Sequence, residues 1–287
     1  FSPAWPDFVN AFQTQDTRSI LTTPWRATRG TPFFFMKDQL RIATYNIHKG
    51  LSLFNRHVAI HALRDELRVL DADVVFLQEV AGRHDRHAAR HGNWPREPQH
   101  EFLVDGVYAS HAYGRNAVYE RGEHGNAILS RYPILRWENQ DVSSHRFESR
   151  GLLHCEIAVP GWRDNLHCVC VHLALTARGR GRQLERLRQR IEWHVPSDAP
   201  LVVAGDFNDW NWRHRATHEF ALPLNMQEVF EAEGGRPAKS FPAIYPMLRL
   251  DRIYVRGFRV HHAQVLKRRA ARTSSDHRAL ACDIERL

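Results

Sequence analysis

Repeatedly along this 287-residue chain, a short apolar run meets a carboxylate, an amide or an imidazole. LVVAGDFND ends in Asp206, Asn208 and Asp209, TYNIH in Asn46 and His48, FLQEV at Gln78 and Glu79, and VCVHL at His172. Asp251 stands at the start of a strand in RLDRIYV, and TSSDHRAL presents Asp276 and His277 just before another. Gly, Asp and Asn are turn formers, so any one of these cases taken alone is turn chemistry. Recurring beside successive apolar strands, they make up the mixture that phosphoester hydrolysis needs. A hard cation such as Mg²⁺ takes oxygen ligands, commonly one or two carboxylates plus water and substrate phosphate, and Glu79 is the candidate carboxylate. Such a cation draws charge off a phosphoryl oxygen. Asp206 is the candidate to orient and deprotonate the attacking water. Asn208 shares its strand face if the strand persists, and can meet the charge that builds on the phosphoryl oxygens. His277 is the candidate cation, kept protonated by Asp251; the rival reading pairs Asp251 with Arg249 or Arg252. No GxSxG nucleophile motif is present, in keeping with direct attack by water.

Such groups need rigid elements behind them. LRIATYN and DVVFLQE read as strands, and between them VAIHALRDELRVL has apolar residues near helical spacing at Val58, Leu63, Leu67 and Leu70. GNAILSRYPI, LRWENQDVS, RGLLHCEIAV and DNLHCVCVHL follow as strand candidates. A helix then carries Leu184, Leu187 and Ile191 on one side and Arg182, Arg186 and Arg190 toward another. LVVAGDF, RLDRIYV, FRVHHAQVL and HRALACDIE complete the strands. Hairpin-like succession with two strand–helix–strand units is satisfied by two packed sheets with helices outside. Residues 1–35, with four prolines and no clear periodicity, are expected to be an extension or linker, and residues 36–287 the catalytic domain.

The motifs TYNIH, LQEV, GNAILSRYPI, VHL, GDFND, LDRIYV and SDHRAL occur in the order found in the endonuclease/exonuclease/phosphatase superfamily. The chain resembles that family over residues 40–287, with GDFND and SDH the most specific matches. The family includes type I deoxyribonuclease-like nucleases, abasic-site endonucleases, neutral sphingomyelinases and inositol polyphosphate 5-phosphatases. The resemblance implies an α+β fold, a four-layered α/β sandwich of two packed mixed β-sheets flanked by helices. It implies that Asn46 helps hold metal and phosphate, that Glu79 is the metal ligand and that Asp276 lies at the metal side. Asp206 then positions the water, Asn208 contacts the phosphate, Asp251 partners His277, and His172 contacts the scissile phosphate. His48 stands where abasic-site endonucleases carry an Asp; this removes a negative charge near the metal, argues against that subfamily and turns His48 toward phosphate. The expected cofactor is Mg²⁺ or Mn²⁺.

Other polar residues carry two readings. His124 and Asn126 in EHGNAILS either line the substrate side or stabilise a loop, and Arg115 and Asn116 in YGRNAVYE present the same choice. Arg150 binds a second substrate phosphate or pairs with Glu148. His84, His87 and His91 stand at near-helical spacing, but with no carboxylate pattern beside them they read as a solvated polar segment. So does the basic helix face over 178–190.

Four cysteines are too few and too scattered for a disulfide scaffold, and a reducing compartment, the cytoplasm, is the expected location. No apolar run approaches a membrane span, and FSPAWPDFVN lacks the features of a secretory signal. The net charge of +8 favours anionic partners without choosing among them. The expected substrate is an anionic phosphate ester acted on by a monomer. A nucleic acid would meet the basic run 267–272 and aromatics such as Trp210, Trp212, Phe241 and Tyr245. A membrane lipid surface would meet FPAIYPML, residues 241–248, which is otherwise a packed connection.

Overall fold

The computed structural model describes residues 38–52, 57–104, 106–120, 122–143, 148–210, 215–266 and 274–287. The expected extension at 1–35, Trp212 and the basic run 267–272 lie outside these residues. In chain order the elements begin with β1 (Gln39–Asn46), α1 (Ile60–Leu70), β2 (Val74–Ala81), α2 (Asp85–Arg90) and α3 (Gln99–Val104). The strands β3 (Ser110–Tyr119), β4 (Gly122–Ser130), β5 (Ile134–Asp141), β6 (Gly151–Ile157) and β7 (Leu166–His172) follow without an intervening helix. Then come α4 (Ala177–His194), β8 (Leu201–Asp206), α5 (Arg215–Ala221), β9 (Gln227–Glu228) and α6 (Val229–Gly234). The chain closes with β10 (Asp251–Arg256), β11 (Phe258–Val265) and β12 (Leu280–Arg286).

The strands form two six-stranded mixed sheets, ordered β11-β12-β1-β2-β4-β3 and β5-β6-β7-β8-β10-β9. Each sheet holds one parallel pair, β1 with β2 and β7 with β8, and the other pairings are antiparallel. Parallel neighbours need a crossover, and α1 and α4 supply the two. These are the two strand–helix–strand units expected from the sequence. Alternation along the strands sorts three cores. Ile42, Phe76, Cys155, Cys168, Cys170 and Val202 pack between the sheets; Ala43, Val75 and Leu77 pack under α1; Val169, Val171 and Val203 pack under α4. Helix, sheet, sheet and helix make the four-layered sandwich. Among the described residues no helix is long and apolar enough to cross a membrane.

Two local readings are corrected. Val58 does not join α1: it bridges Leu51 instead, Ala59 N–H is tied to Gly50 O, and the buried helix face begins at Ile60. Nor is the basic face of α4 uniformly solvated. Arg182 and Arg186 are exposed, whereas Arg180 and Arg190 are buried, and Arg190 pairs with Glu138 across on β5. A guanidinium next to a sheet that offers a carboxylate is satisfied there rather than in water. His84, His87 and His91 also turn inward in part, with His87 stacked on Trp94 at a centroid distance of 5.2 Å.

Gly205 shows how tightly the second parallel pair is built. Its φ is 150°, and a Cβ there would lie 1.9 Å from the Val171 carbonyl oxygen of the neighbouring strand. Only glycine lets the backbones approach this closely just before Asp206. Gly205→Ala is therefore expected to destabilise the protein by about 3 kcal/mol or more, read from urea unfolding midpoints. Gly181→Ala, in the body of α4 with open space around the position, is expected to stabilise by roughly 0.5–1 kcal/mol.

Candidate active site

Both parallel pairs end at the same rim. In register, Asn46 on β1 is level with Gln78 on β2, His172 on β7 with Asp206 on β8, and Asp251 on β10 with Asp206. Glu79 follows Gln78 inside a break in the β2–β4 pairing, between Leu77 and Val80. The elements bring residues separated by up to 231 positions, Asn46 and His277, to one place.

Asp206 is the centre of the cluster. It is 2% exposed. Its Oδ1 accepts a 2.9 Å bond from Asn208 N, and its Oδ2 accepts a 3.1 Å bond from Asn46 Nδ2. His172 Nε2 lies 3.6 Å and His277 Nε2 3.8 Å from the same Oδ2. Burial pushes its pKa up to about 7, the nearby Asp251 charge adds to this, and His277 opposes it. Across from it, His277 Nδ1 and Asp251 Oδ2 are 2.8 Å apart. Burial works against a charged His277, but Asp251 outweighs it and the imidazole titrates at about 10. Asp251 thus pairs with His277; Arg252 faces Asp209, and Arg249 Nε donates to Pro237 O.

Glu79 lies on the other side of Asn46, whose Nδ2 is 3.5 Å from Glu79 Oε1. Burial would raise its pKa, yet His172, Lys49 and His48 outweigh that and hold it at about 2. Lys49 Nζ is 3.4 Å from Glu79 Oε2. His48 Nδ1 faces Asp276 Oδ2 at 3.4 Å, and its backbone N–H donates to Asn46 Oδ1. His172 is driven well below the ordinary imidazole range, first by burial and then by Arg150. The residues around Glu79 and those around Asp206 are therefore one connected cluster, joined through the Asn46 amide.

The remaining candidates separate. Asn208 spends one N–H of its side chain on Leu173 O at 2.9 Å. Arg150 Nε donates to that same carbonyl at 3.2 Å, while Glu148 accepts from Gln183; the expected Arg150–Glu148 pair is not what holds this arginine. His124 is close enough to feel Glu79, Lys49 and Arg150, and burial lowers its pKa to about 4. Asn126 is fully buried and stitches the sheets together, donating to Gly151 O and Cys170 O. Arg115 is exposed and pairs with Glu123 at 3.2 Å. Asn116 accepts from Asn139 of β5. Asn126, Arg115 and Asn116 are not part of the Asp206 cluster; they tie sheet edges and layers together.

Several contributors escape a reading of the sequence. Ser275 Oγ donates to Asn46 O at 2.6 Å and accepts from His277 N, fixing one motif on another. Gln99 donates to Lys49 O and accepts from Ala81 N, which seats Lys49 over β2. Phe241 and Trp210, named from the sequence only as aromatics that a nucleic acid would meet, border the cluster: the Phe241 ring lies 4.9 Å from the His277 ring, and Trp210 lies 6.2 Å from Phe241. One backbone signal marks the place. Among the described residues, non-glycine positive φ occurs at His48, Lys49, Glu79 and Asn208 in this cluster, and elsewhere at Asp71 and Asn225. Such conformations cost energy and persist where the surroundings enforce them, often at functional sites.

Comparison with known proteins follows this geometry. Residues 43–277 match the sequence model of the Endonuclease/Exonuclease/phosphatase family. The uncharacterized protein YbhP of Escherichia coli K12 is 45% identical over 244 residues, 85% of this chain and 95% of YbhP. Among solved structures, TDP2 of D. rerio complexed with a single-strand DNA product is similar, with a TM-score of 0.65 and 19% identity over 86% of this chain and 99% of that one. The mannosyl-6-phosphatase Bt3783 of Bacteroides thetaiotaomicron gives a TM-score of 0.66 and 18% identity over 85% of this chain and 99% of that one. At these identities the structural likeness speaks for the fold, while the motifs and the sequence match speak for kinship: this chain belongs to the Endonuclease/Exonuclease/phosphatase family.

Proposed function

We propose that this protein hydrolyses a phosphodiester by direct attack of a water molecule. The observation that carries this reading is the pairing of a carboxyl raised to about 7, Asp206, with an imidazole raised to about 10, His277, at 3.8 Å. Environments that drive neighbouring titratable groups to different tasks mark a base and an acid. Ionised Asp206 takes a proton from the water and holds its lone pair in line with phosphorus. Protonated His277, held by Asp251, meets the negative charge that grows on the phosphoryl oxygens. Neutral His172 and the second N–H of Asn208 add donors at the same rim.

The donor set suits a hard divalent cation such as Mg²⁺ or Mn²⁺. Glu79 stays ionised, and the Lys49 ammonium 3.4 Å away shows that this position accommodates positive charge. Glu79, with Asn46 and Asp276 beside it, would hold the cation. When bound, it neutralises phosphoryl charge as a Lewis acid. Asp206, Asp251 and His277 also bring one ligand atom each within 4.8 Å of one another. His277 there is protonated and offers no lone pair, so that triad serves proton handling. The substituent on phosphorus has an apolar rim to pack on: Trp210, Ile244, Tyr245 and Met247 are exposed, and Ala243 N donates to Asp276 O within the site. Bases of a nucleic acid or the chains of a phospholipid both meet that chemistry, and TDP2 with its DNA product favours testing nucleic acid first.

A screen with Mg²⁺ or Mn²⁺ against single- and double-stranded DNA, RNA, sphingomyelin, cardiolipin-type lipids and bis-p-nitrophenyl phosphate is expected to show metal-dependent turnover. Asp206→Asn and His277→Ala should each lower kcat by about 10²–10⁴-fold while leaving the fold intact by circular dichroism. Full activity in Asp206→Asn would end the proposal. Asp251→Asn gives a second, independent measurement. Activity should fall at high pH as His277 loses its proton around pH 10. Without the Asp251 charge that loss moves toward the ordinary imidazole range, so the alkaline limb of kcat/KM shifts to lower pH. An unmoved limb would show that another group sets it.

A further inference from the structure

The roles of Asp206 and His277 in water attack leave the Lys49 ammonium without a task. Its Nζ lies 3.4 Å from Glu79 Oε2, while Asn46 Nδ2 is 3.5 Å from the other oxygen, Oε1. The two ends of this lysine are held very differently. Its backbone is locked. His48 and Lys49 have φ of 45° and 57°, and the Lys49 carbonyl accepts a 2.8 Å bond from Gln99 Nε2. Gly50 N donates to Ile47 O and Leu51 N to His48 O, which closes the turn. Gly50 has φ of 68°, and a Cβ there would lie 2.3 Å from Gln99 Nε2, so the clamp on the turn is tight. The Lys49 side chain, by contrast, is 36% exposed, and its four-carbon stem is rich in rotamers. A fixed base with a mobile charged tip makes a swinging arm.

Glu79 is also the carboxylate suited to the divalent cation. An ammonium and a divalent ion at one carboxylate repel each other, and the doubly charged partner is held more strongly. Displaced from Glu79, the ammonium needs another anion. The other carboxylates of the cluster are taken. Asp276 Oδ2 faces His48 Nδ1 at 3.4 Å, Asp251 is bonded to His277, and Asp206 lies behind Asn46, His172 and His277. The phosphate ester itself is the anion left. A compact ammonium with three rotatable donors suits a nonbridging phosphoryl oxygen, where negative charge grows during water attack. Asn46 Nδ2 touches both Glu79 and Asp206, so Lys49 meets the phosphate from the Glu79 side and His277 from the Asp206 side.

We propose that Lys49 is a further catalytic residue: it gives up Glu79 to the divalent cation and turns its ammonium to a nonbridging oxygen of the substrate phosphate, a role that rests on the hydrolytic reading of the rim. Lys49 then acts in two opposite senses, against the cation and for the phosphate. A residue that only props up the turn would weaken both kinds of binding when replaced.

Isothermal titration of Lys49→Met with Mn²⁺ is expected to show a Kd at least about threefold tighter than that of the unaltered chain, because an opposing charge is gone. With Mg²⁺ saturating, inorganic phosphate should bind Lys49→Met at least about tenfold more weakly. On any phosphodiester that the unaltered chain turns over, kcat/KM should fall by about 10–100-fold. Amine acylation read by peptide mass mapping tests the unaltered chain and needs no variant: Mn²⁺ should raise labelling of Lys49, and added phosphate should suppress it. Unchanged or weaker Mn²⁺ binding by Lys49→Met, unchanged phosphate affinity, or Lys49 labelling indifferent to both ligands would each overturn the role. If the binding and labelling results hold while no phosphodiester is turned over, the hydrolytic reading fails and the exchange of Lys49 between Glu79 and phosphate stands.

Discussion

The structure depends on keeping a carboxylate buried at the seam between two sheets. Taking an ionised Asp out of water is costly unless hydrogen bonds and opposite charge replace the solvent. Asp206 gets part of that replacement from its own chain, through the N–H of Asn208. The rest comes from elsewhere: Asn46 on the other sheet, His172 on the neighbouring strand and His277 just before β12. The compensation is incomplete, since burial still holds the carboxyl above the usual carboxylate range. A better-solvated Asp206 would lie closer to the ordinary carboxylate range, and a less supported one would stay protonated. Inter-sheet packing therefore sets the ionisation of Asp206 as well as the stability.

The same constraint explains the strained backbone. Asn46, Glu79 and Asp206 belong to strands, but their side chains have to converge beyond the strand ends. Glu79 reaches that point through positive φ within the break in the β2–β4 pairing. His48 and Lys49 turn back in the left-handed region, and Gln99 and Ser275 hold the segments in place with bonds to Lys49 O and Asn46 O. For a non-glycine residue each such conformation is unfavourable by about 1–3 kcal/mol in the absence of support. The supporting side chains form buried bonds, so the strain is carried by packing distant in sequence.

This divides what the sequence makes legible from what it hides. An apolar run that stops at Gly-Asp, Gln-Glu or Val-His reports both the strand and the polar group at its end, so the two sheets, the crossovers and the Asp206, Glu79 and His277 positions can be read in order. Lys49 cannot: its significance lies in 3.4 Å to Glu79, which no local pattern encodes. Ser275 looks like part of a Ser-rich turn until Asn46 O is placed above it. Arg190 follows the period of a solvated face, and only the facing Glu138 pulls it inward. Asn126 sits in one of the motifs read from the sequence, yet its Nδ2 donates inside, to carbonyls of the opposite sheet. Identity and periodicity reveal elements; pairings across layers appear only once the layers are stacked.

Helix α4 shows the consequence of that stacking. Its 18 residues span about 27 Å, enough to run from the rim to the opposite end of the sheet. At its start, Arg180 donates to Leu175 O and Ala174 O and faces Asp209, bracing the loop that follows His172. Near its end, Arg190 grips Glu138 beside the His154–His167 pair. Leu184, Leu187 and Ile191 seat the helix between these two points. Apolar burial fixes its height above the sheet, but it is indifferent to sliding along the axis. The two buried guanidiniums are not, because each loses its carboxylate or carbonyl partners if the helix moves by a turn. Charge at both ends thus fixes the register that the apolar stripe leaves open, and with it the loop carrying Leu173 O, the acceptor shared by Asn208 and Arg150.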